Sequence, residues 1–137
     1  MKSLKKQRGI SSLGWLAILM ASGFFLMCGF KVIPLYADNI YMKNSLKSLS
    51  QLENPEGGFE GVSNGDIKSQ LNNFNMVNNI RNPEANNIKI ERFKNKFIVN
   101  LNYERRVPLF YNIEVVTTFK NQFDSSRPYE CCTPADE

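Results

Sequence analysis

No histidine occurs in this 137-residue chain, which removes imidazole as an acid, a base or a metal ligand. Cysteine is scarce: Cys28, Cys131 and Cys132 are the only three, and none is spaced as the CxxC half of a structural zinc set. A phosphate loop, a dinucleotide fingerprint and a GxSxG elbow are also missing. Only one segment is apolar enough for a membrane, so no second helix is available to wall it in. A length of this order bounds the chain to one folded domain. Part of it is taken by the apolar segment, leaving about 85 residues, from Asp38 to Phe123, for a soluble core, a size at which a core is marginal alone.

What is present begins with charge. The net charge of +4 sits in Lys2, Lys5, Lys6 and Arg8, with no acid beside them. The remaining 13 basic residues are matched by 13 acidic ones, so the rest of the chain sums to zero. A nucleic-acid binder needs its basic excess on the folded part, and no nucleic-acid partner is expected. The segment that follows, ISSLGWLAILMASGFFLMCGF at 10–30, carries no charge. As a helix its 21 residues span about 30 Å, the thickness of a bilayer core. A single segment in lipid must pair its own backbone groups, so a helix is the expected form. Lys31 follows, with a stem long enough to bring its ammonium to the interface. Pro34 is expected to bend the chain near the membrane exit, and Tyr36 and Tyr41 suit that zone. The basic flank precedes the span, which places the N-terminus in the cytoplasm and the remainder across the membrane. A cut signal peptide would need a site after Ala37, with the unfavourable Leu35 two positions before it.

Beyond the span, 38–53 has helical periodicity, with Met42, Leu46, Leu49 and Glu53 on one stripe and Lys43, Lys47 and Gln51 on another face. Asn54, Pro55, Gly57 and Gly58 end it. Ser63 is a helix N-cap with Asp66 three residues on, and Ile67, Leu71 and Phe74 form the apolar face of a short second helix. The run Asn72, Asn73, Asn75, Asn78 and Asn79 suits frayed ends and turns, and reads as compositional bias. The segment 83–87 is a connection. The period then becomes two. Ile88, Ile90 and Arg92 alternate with Lys89, Glu91 and Phe93; Lys94 and Asn95 turn; Phe97, Val99, Leu101 and Tyr103 share a face; Ile113, Val115, Thr117 and Phe119 share another. Three successive strands point to an antiparallel meander with helices on one side. Pro108 lacks a donor, so 105–112 is expected to be an edge, bulge or loop. From Asn121 the chain turns polar and a loose tail is expected.

Candidate chemistry is thin. Glu91, Glu104 and Glu114 fall on or beside strands, where two of them in one pocket would make an acid and a base; solvent exposure or pairing with Arg92, Arg105 and Arg106 is the simpler expectation. Ser11 or Ser12 with a lysine lacks the surrounding structure that an intramembrane site needs. Cys131 and Cys132 are expected as an exposed tail pair, with a vicinal or interchain disulfide as the alternative. Arg105 and Arg106, followed by Val107, Leu109, Phe110 and Tyr111, form either a docking edge or a connection packed on the domain's own helices. Neither arginine is a general base.

Two resemblances extend this reading. The start, KKQRGISSLGWLAILMASGFF, resembles a type IV prepilin leader: a basic segment, Gly9, then a long apolar helix. By that pattern a peptidase cuts after Gly9 and Ile10 begins the mature chain. Pilins usually carry Glu at the fifth mature position, which here is Gly14. The stretches KKQRGIS at 5–11, PLY at 34–36, DIKSQL at 66–71, IKIER at 88–92 and NYERRVPLFYNIEVV at 102–116 are similar to a proteobacterial membrane family catalogued as domain of unknown function 4845. That likeness covers residues 5–120, leaves Cys131 and Cys132 outside, and implies no catalytic residue.

The expected organisation is therefore a basic cytoplasmic tail at 1–9, a transmembrane helix at 10–36, a periplasmic α+β domain at 37–123 and a flexible tail at 124–137. The expected function is non-enzymatic: a single-pass inner-membrane protein whose outer domain binds or positions an envelope or membrane protein partner. No catalytic, cofactor-binding or metal-binding residue is assigned, and no cofactor. The alternatives are a pseudopilin-like component processed after Gly9 and an enzyme with an unrecognised site.

Overall fold

The computed structural model describes residues 11–81 and 87–134. The basic tail, the Gly9 junction and most of the 83–87 connection lie outside the described residues. The first helix, α1 (Ser12–Lys47), starts at Ser11, whose hydroxyl accepts the Gly14 N–H at 3.2 Å. It passes through Pro34 without ending. A proline withholds one N–H, the one that would reach the Phe30 carbonyl. The turns that follow hold the helix together by packing: Leu35, Asn39, Met42 and Leu46 are all buried, at spacings of four, three and four that keep one face turned inward. A short 3-10 turn at Ser48–Leu52 extends α1 and buries Leu49.

The N-terminal half of α1 differs. Leu13, Trp15, Leu16, Leu19, Met20, Phe25, Leu26 and Phe30 are exposed, and the helix at Ser12–Leu52 is long and apolar enough to cross a membrane. Its burial begins after Lys31, so the anchor-like segment and the first core helix are one continuous element.

The second helix, α2 (Asn64–Val77), has the expected start. Ser63 Oγ accepts the Asp66 N–H at 3.1 Å, and the Asp66 carboxylate accepts the Ser63 N–H at 2.8 Å, a reciprocal capping box. Ile67 and Leu71 enter the core. The asparagine run divides: Asn78 and Asn79 make the helix end and turn expected of them, whereas α2 continues through Asn72, Asn73 and Asn75. Asn75 is buried and accepts the Ser45 hydroxyl at 2.7 Å, so this asparagine joins α2 to α1 rather than reflecting composition.

The sheet is a three-stranded antiparallel meander in the order β1 (Ile88–Arg92), β2 (Phe97–Phe110), β3 (Ile113–Asp124). Together with the helices it forms the α+β arrangement expected from the change of period. Phe97, Val99, Leu101 and Tyr103 turn one face of β2 into the core. The stretch at 105–112 is the edge and bulge expected of it, and the end of β3 departs from expectation. β2 runs through Pro108, with a register irregularity between Pro108 and Phe110. Its partner β1 reaches only to Leu101, so Pro108 lies on an open edge where its missing N–H breaks no ladder bond. β3 continues to Asp124, and Asn121 and Phe123 are almost wholly buried. The polar spelling there hides alternation, with Phe119, Asn121 and Phe123 pointing inward.

The segment after β3 packs back as well. Ser125 Oγ accepts the Phe97 N–H at 2.9 Å, the Gln122 N–H donates to the Cys132 carbonyl at 3.1 Å, and Cys132 is buried beside Lys43. Residues 125–132 therefore complete the domain, where a loose tail was expected. In the core, Phe59 meets Phe97 and Phe123 edge-on at 5.5 and 6.0 Å. A buried polar node joins three elements: Asn39 Oδ1 accepts from Tyr103 Oη at 3.2 Å and from Asn121 Nδ2 at 2.7 Å. That node ties α1 to both long strands.

Candidate functional site

The chemistry-bearing residues do not converge. Glu91 stands on β1 across from Ile98, Glu104 on β2 across from Thr118, and Glu114 on β3 across from Pro108. Glu104 and Pro108 are four strand residues apart, about 13 Å, so Glu104 and Glu114 occupy different levels of the sheet. Each is exposed. Glu91 accepts from Asn100 Nδ2 at 3.4 Å, and Glu104 pairs with Arg106 at 2.7 Å. The other two arginines take different partners from those expected. Arg92 donates to Asn64 Oδ1 and to the Val62 carbonyl, both at 2.7 Å, and Arg105 reaches Asp38 at 3.5 Å.

Cys131 and Cys132 form a vicinal disulfide. It is not an exposed tail pair, since Cys132 is 5% exposed and Cys131 packs against the core. Cys28 is a free thiol on the apolar half of α1. Among the described residues no His, Cys, Asp and Glu cluster could hold a metal ion.

Two concave surfaces stand out among the described residues. The first, about 440 Å³, lies where α1 emerges from its apolar half. Asp38, Tyr41 and Met42 line it from α1, Asn78 to Arg81 from the turn after α2, and Arg105 from β2. Asn79 has a left-handed backbone, φ 54°, which asparagine tolerates better than most residues; its side chain accepts from Arg81 Nε at 3.0 Å. The groove thus presents two guanidinium groups, one acid and one phenol. Such a set recognises polar or anionic groups, and no nucleophile–base pair stands among these lining residues.

The second, about 790 Å³, lies at the opposite end of the sheet between the 57–61 loop, the β1–β2 turn and the 125–129 segment. Lys96 pairs with Asp124 at 2.9 Å, and Tyr129 donates to Glu53 at 2.8 Å. Burial on its own would raise the Asp124 carboxyl; hydrogen bonds from Ser126 and Lys96 outweigh it and hold the group below its ordinary value. The bond to Glu53 raises the Tyr129 hydroxyl. These charges are spent on holding the final turn in place. Neither concave surface is lined by Glu91, Glu104 or Glu114.

The third feature is the segment after Arg105 and Arg106. It is a strand end and turn, and it packs on the domain's own helix α1, as one of the two readings had it. It forms the tip of the β2–β3 hairpin, laid along the apolar half of α1. Lys31 Nζ donates to the Pro108 and Leu109 carbonyls at 2.7 and 3.0 Å, and the Phe110 ring stacks on Phe24 at 5.5 Å. The pattern of exposed apolar residues beyond an arginine pair was the available signal for this surface; the contact with Lys31 was not legible, because nothing local links that lysine to carbonyls 77 and 78 positions away.

A family model described as Domain of unknown function (DUF4845) matches residues 31–119. The match begins at Lys31, so the KKQRGIS stretch lies outside it. No curated protein and no solved structure matches the chain.

Proposed function

The chain belongs to the DUF4845 family, and on that premise we propose that it is a non-enzymatic, single-pass protein of the bacterial inner membrane whose periplasmic domain binds or positions an envelope protein partner. The observation that carries this reading is the continuity of α1. One helix presents an exposed apolar half before Lys31 and a buried stripe after it. A domain built around the outer half of its own anchor is held at a fixed height and orientation above the bilayer, which is what a tether requires. The basic residues at 2–8 favour a cytoplasmic N-terminus. The groove at Tyr41, Arg81 and Arg105 faces the zone just above the membrane, where the juxtamembrane part of a partner would run.

The test is site-specific photocrosslinking in cells, with the reactive side chain placed in turn at Tyr41, at Arg81 and at Lys89 on β1. A tether predicts a discrete adduct from the groove positions and little from Lys89. Equal, diffuse adducts from all three, or none from any, contradict it.

A further inference from the structure

We infer that the tip of the β2–β3 hairpin is a second membrane-contacting element, entering the outer leaflet beside α1 and taking lipid acyl chains as its ligand. This inference rests on the reading of α1 as a membrane span. Four observations carry it.

The first is composition with exposure. From Val107 to Ile113 the chain reads VPLFYNI, without a charge. Phe110 is 38% exposed, Ile113 60% and Tyr111 fully exposed. Large apolar side chains gathered at a hairpin tip leave favourable burial unrealised in water, and lipid recovers it.

The second is depth. Phe110 stacks on Phe24, and Phe24 precedes Lys31 by seven helical residues, about 10 Å on the apolar side of the charge that ends the span. If Phe24 lies among acyl chains, its stacking partner does too. A penetration of roughly 5–10 Å is that of interfacial membrane elements.

The third is the backbone. Lipid tolerates no unpaired carbonyl or N–H. Here Pro108 has no N–H to satisfy, and the Pro108 and Leu109 carbonyls both accept from Lys31. The same contact gives the lysine ammonium oxygen partners at the boundary, where it would otherwise have to reach for water.

The fourth is the rim. Arg105 and Arg106 stand four to five strand residues above Phe110, about 13–17 Å. With Phe110 among acyl chains they fall at the level of lipid phosphates, which arginine binds well. Glu114, across from Pro108, sits level with Lys31 at the boundary and not beneath it. Apolar tip, ammonium-capped carbonyls and arginine rim thus follow one another at the spacings a bilayer surface demands.

The experiment uses the single native tryptophan, Trp15, as an internal reference. Two full-length single-tryptophan chains are placed in nanodiscs of phosphatidylcholine brominated in the upper acyl chain: the native protein and W15F/Y111W. Tyr111 is fully exposed, so the second substitution leaves the fold intact. Acyl bromines should quench the tip indole of W15F/Y111W by about twofold or more, as for a group 5–10 Å below the headgroups, with aqueous iodide ineffective. A third chain, W15F/V116W, places the probe about 13–17 Å farther out, opposite Arg106, and should be quenched less. If Trp15 is quenched by bromolipid while the tip indole answers to iodide, the tip is in water and the inference fails with the anchor standing. If the tip indole is shielded from both quenchers, it is covered by protein, a second copy of this chain, and the inference fails again. If Trp15 itself escapes bromolipid, the membrane span is wrong and the inference falls with it.

Discussion

The two halves of α1 are made of similar residues and do opposite things. Before Lys31, leucines, methionines and phenylalanines stand exposed around the helix: Leu19 is 62% exposed and Phe30 77%. After it, Leu35, Met42 and Leu46 are 3% exposed or less. Helix propensity does not distinguish the halves. What differs is the surroundings each demands. The first is apolar all round, so one folded face could not satisfy it. The second interleaves its apolar residues with Asp38, Lys43, Asn44 and Lys47, which leaves a stripe for the sheet to cover. Fusing both into one element couples the domain's position to the apolar half of the helix.

The largest contrast should come from equivalent truncations. Leu46→Ala removes a fully buried side chain and should destabilise the domain by about 2–5 kcal/mol. Leu19→Ala should leave domain stability within about 0.5 kcal/mol. Denaturant unfolding in detergent, followed by near-ultraviolet circular dichroism, reads both. Equal effects would mean that the halves are not separate environments.

The reverse contrast uses charge. Leu19→Arg lies near the middle of the apolar half and should cost about 2.5–3.5 kcal/mol in insertion, seen as protein lost from alkali-washed membranes. Tyr41→Arg, on the exposed side of the domain half, should remain in the membrane fraction.

Asn39 is the polar joint of the domain half. Asn39→Ala leaves the Tyr103 hydroxyl and the Asn121 amide without their shared acceptor, at about 1–3 kcal/mol. Double-mutant cycles with Tyr103→Phe should show non-additivity, because the two side chains share one bond. Additivity would show that the node contributes nothing as a unit.

Acid should weaken the domain half alone. The Asp124 carboxyl titrates below its ordinary value when folded. Its stabilisation is therefore complete above the unfolded value of about 3.9 and is lost as pH falls through the folded one. Asp124→Asn should flatten this part of the pH–stability curve below about pH 4. A small effect is expected of Ser63→Ala, which removes one side of the capping box on α2 and should cost about 1 kcal/mol, measured by thermal unfolding.

Much of this fold is legible in the residues. The uncharged run, the Met42–Leu46–Leu49 stripe, the Ser63 cap and the alternation from Phe97 to Tyr103 each state their structure locally. The departures share a cause: polar residues serving as core. Asn39, Asn75 and Asn121 bond one another, or Ser45 and Tyr103, inside the domain. Read singly, a buried asparagine looks like a turn former, because its partners lie 30 to 82 residues away. The same blindness made 121–132 look loose, although Phe123 and Cys132 are core residues. Pro108 marked 105–112 as an edge, bulge or loop; which of these it is was not legible, because the end of β1, which frees that edge, is not encoded near it. The candidate groove was hidden for a like reason, since Tyr41, Arg81 and Arg105 belong to three separate segments.

The central claim is that the helix before Lys31 crosses the membrane and holds the domain on the side opposite the basic N-terminus. A cysteine at Lys68, exposed on α2, tests it most directly through labelling by a membrane-impermeant maleimide. Labelling in intact spheroplasts, with protection in inside-out vesicles, is the predicted result. Labelling only in inside-out vesicles, or release of the protein from membranes by alkali, would contradict it.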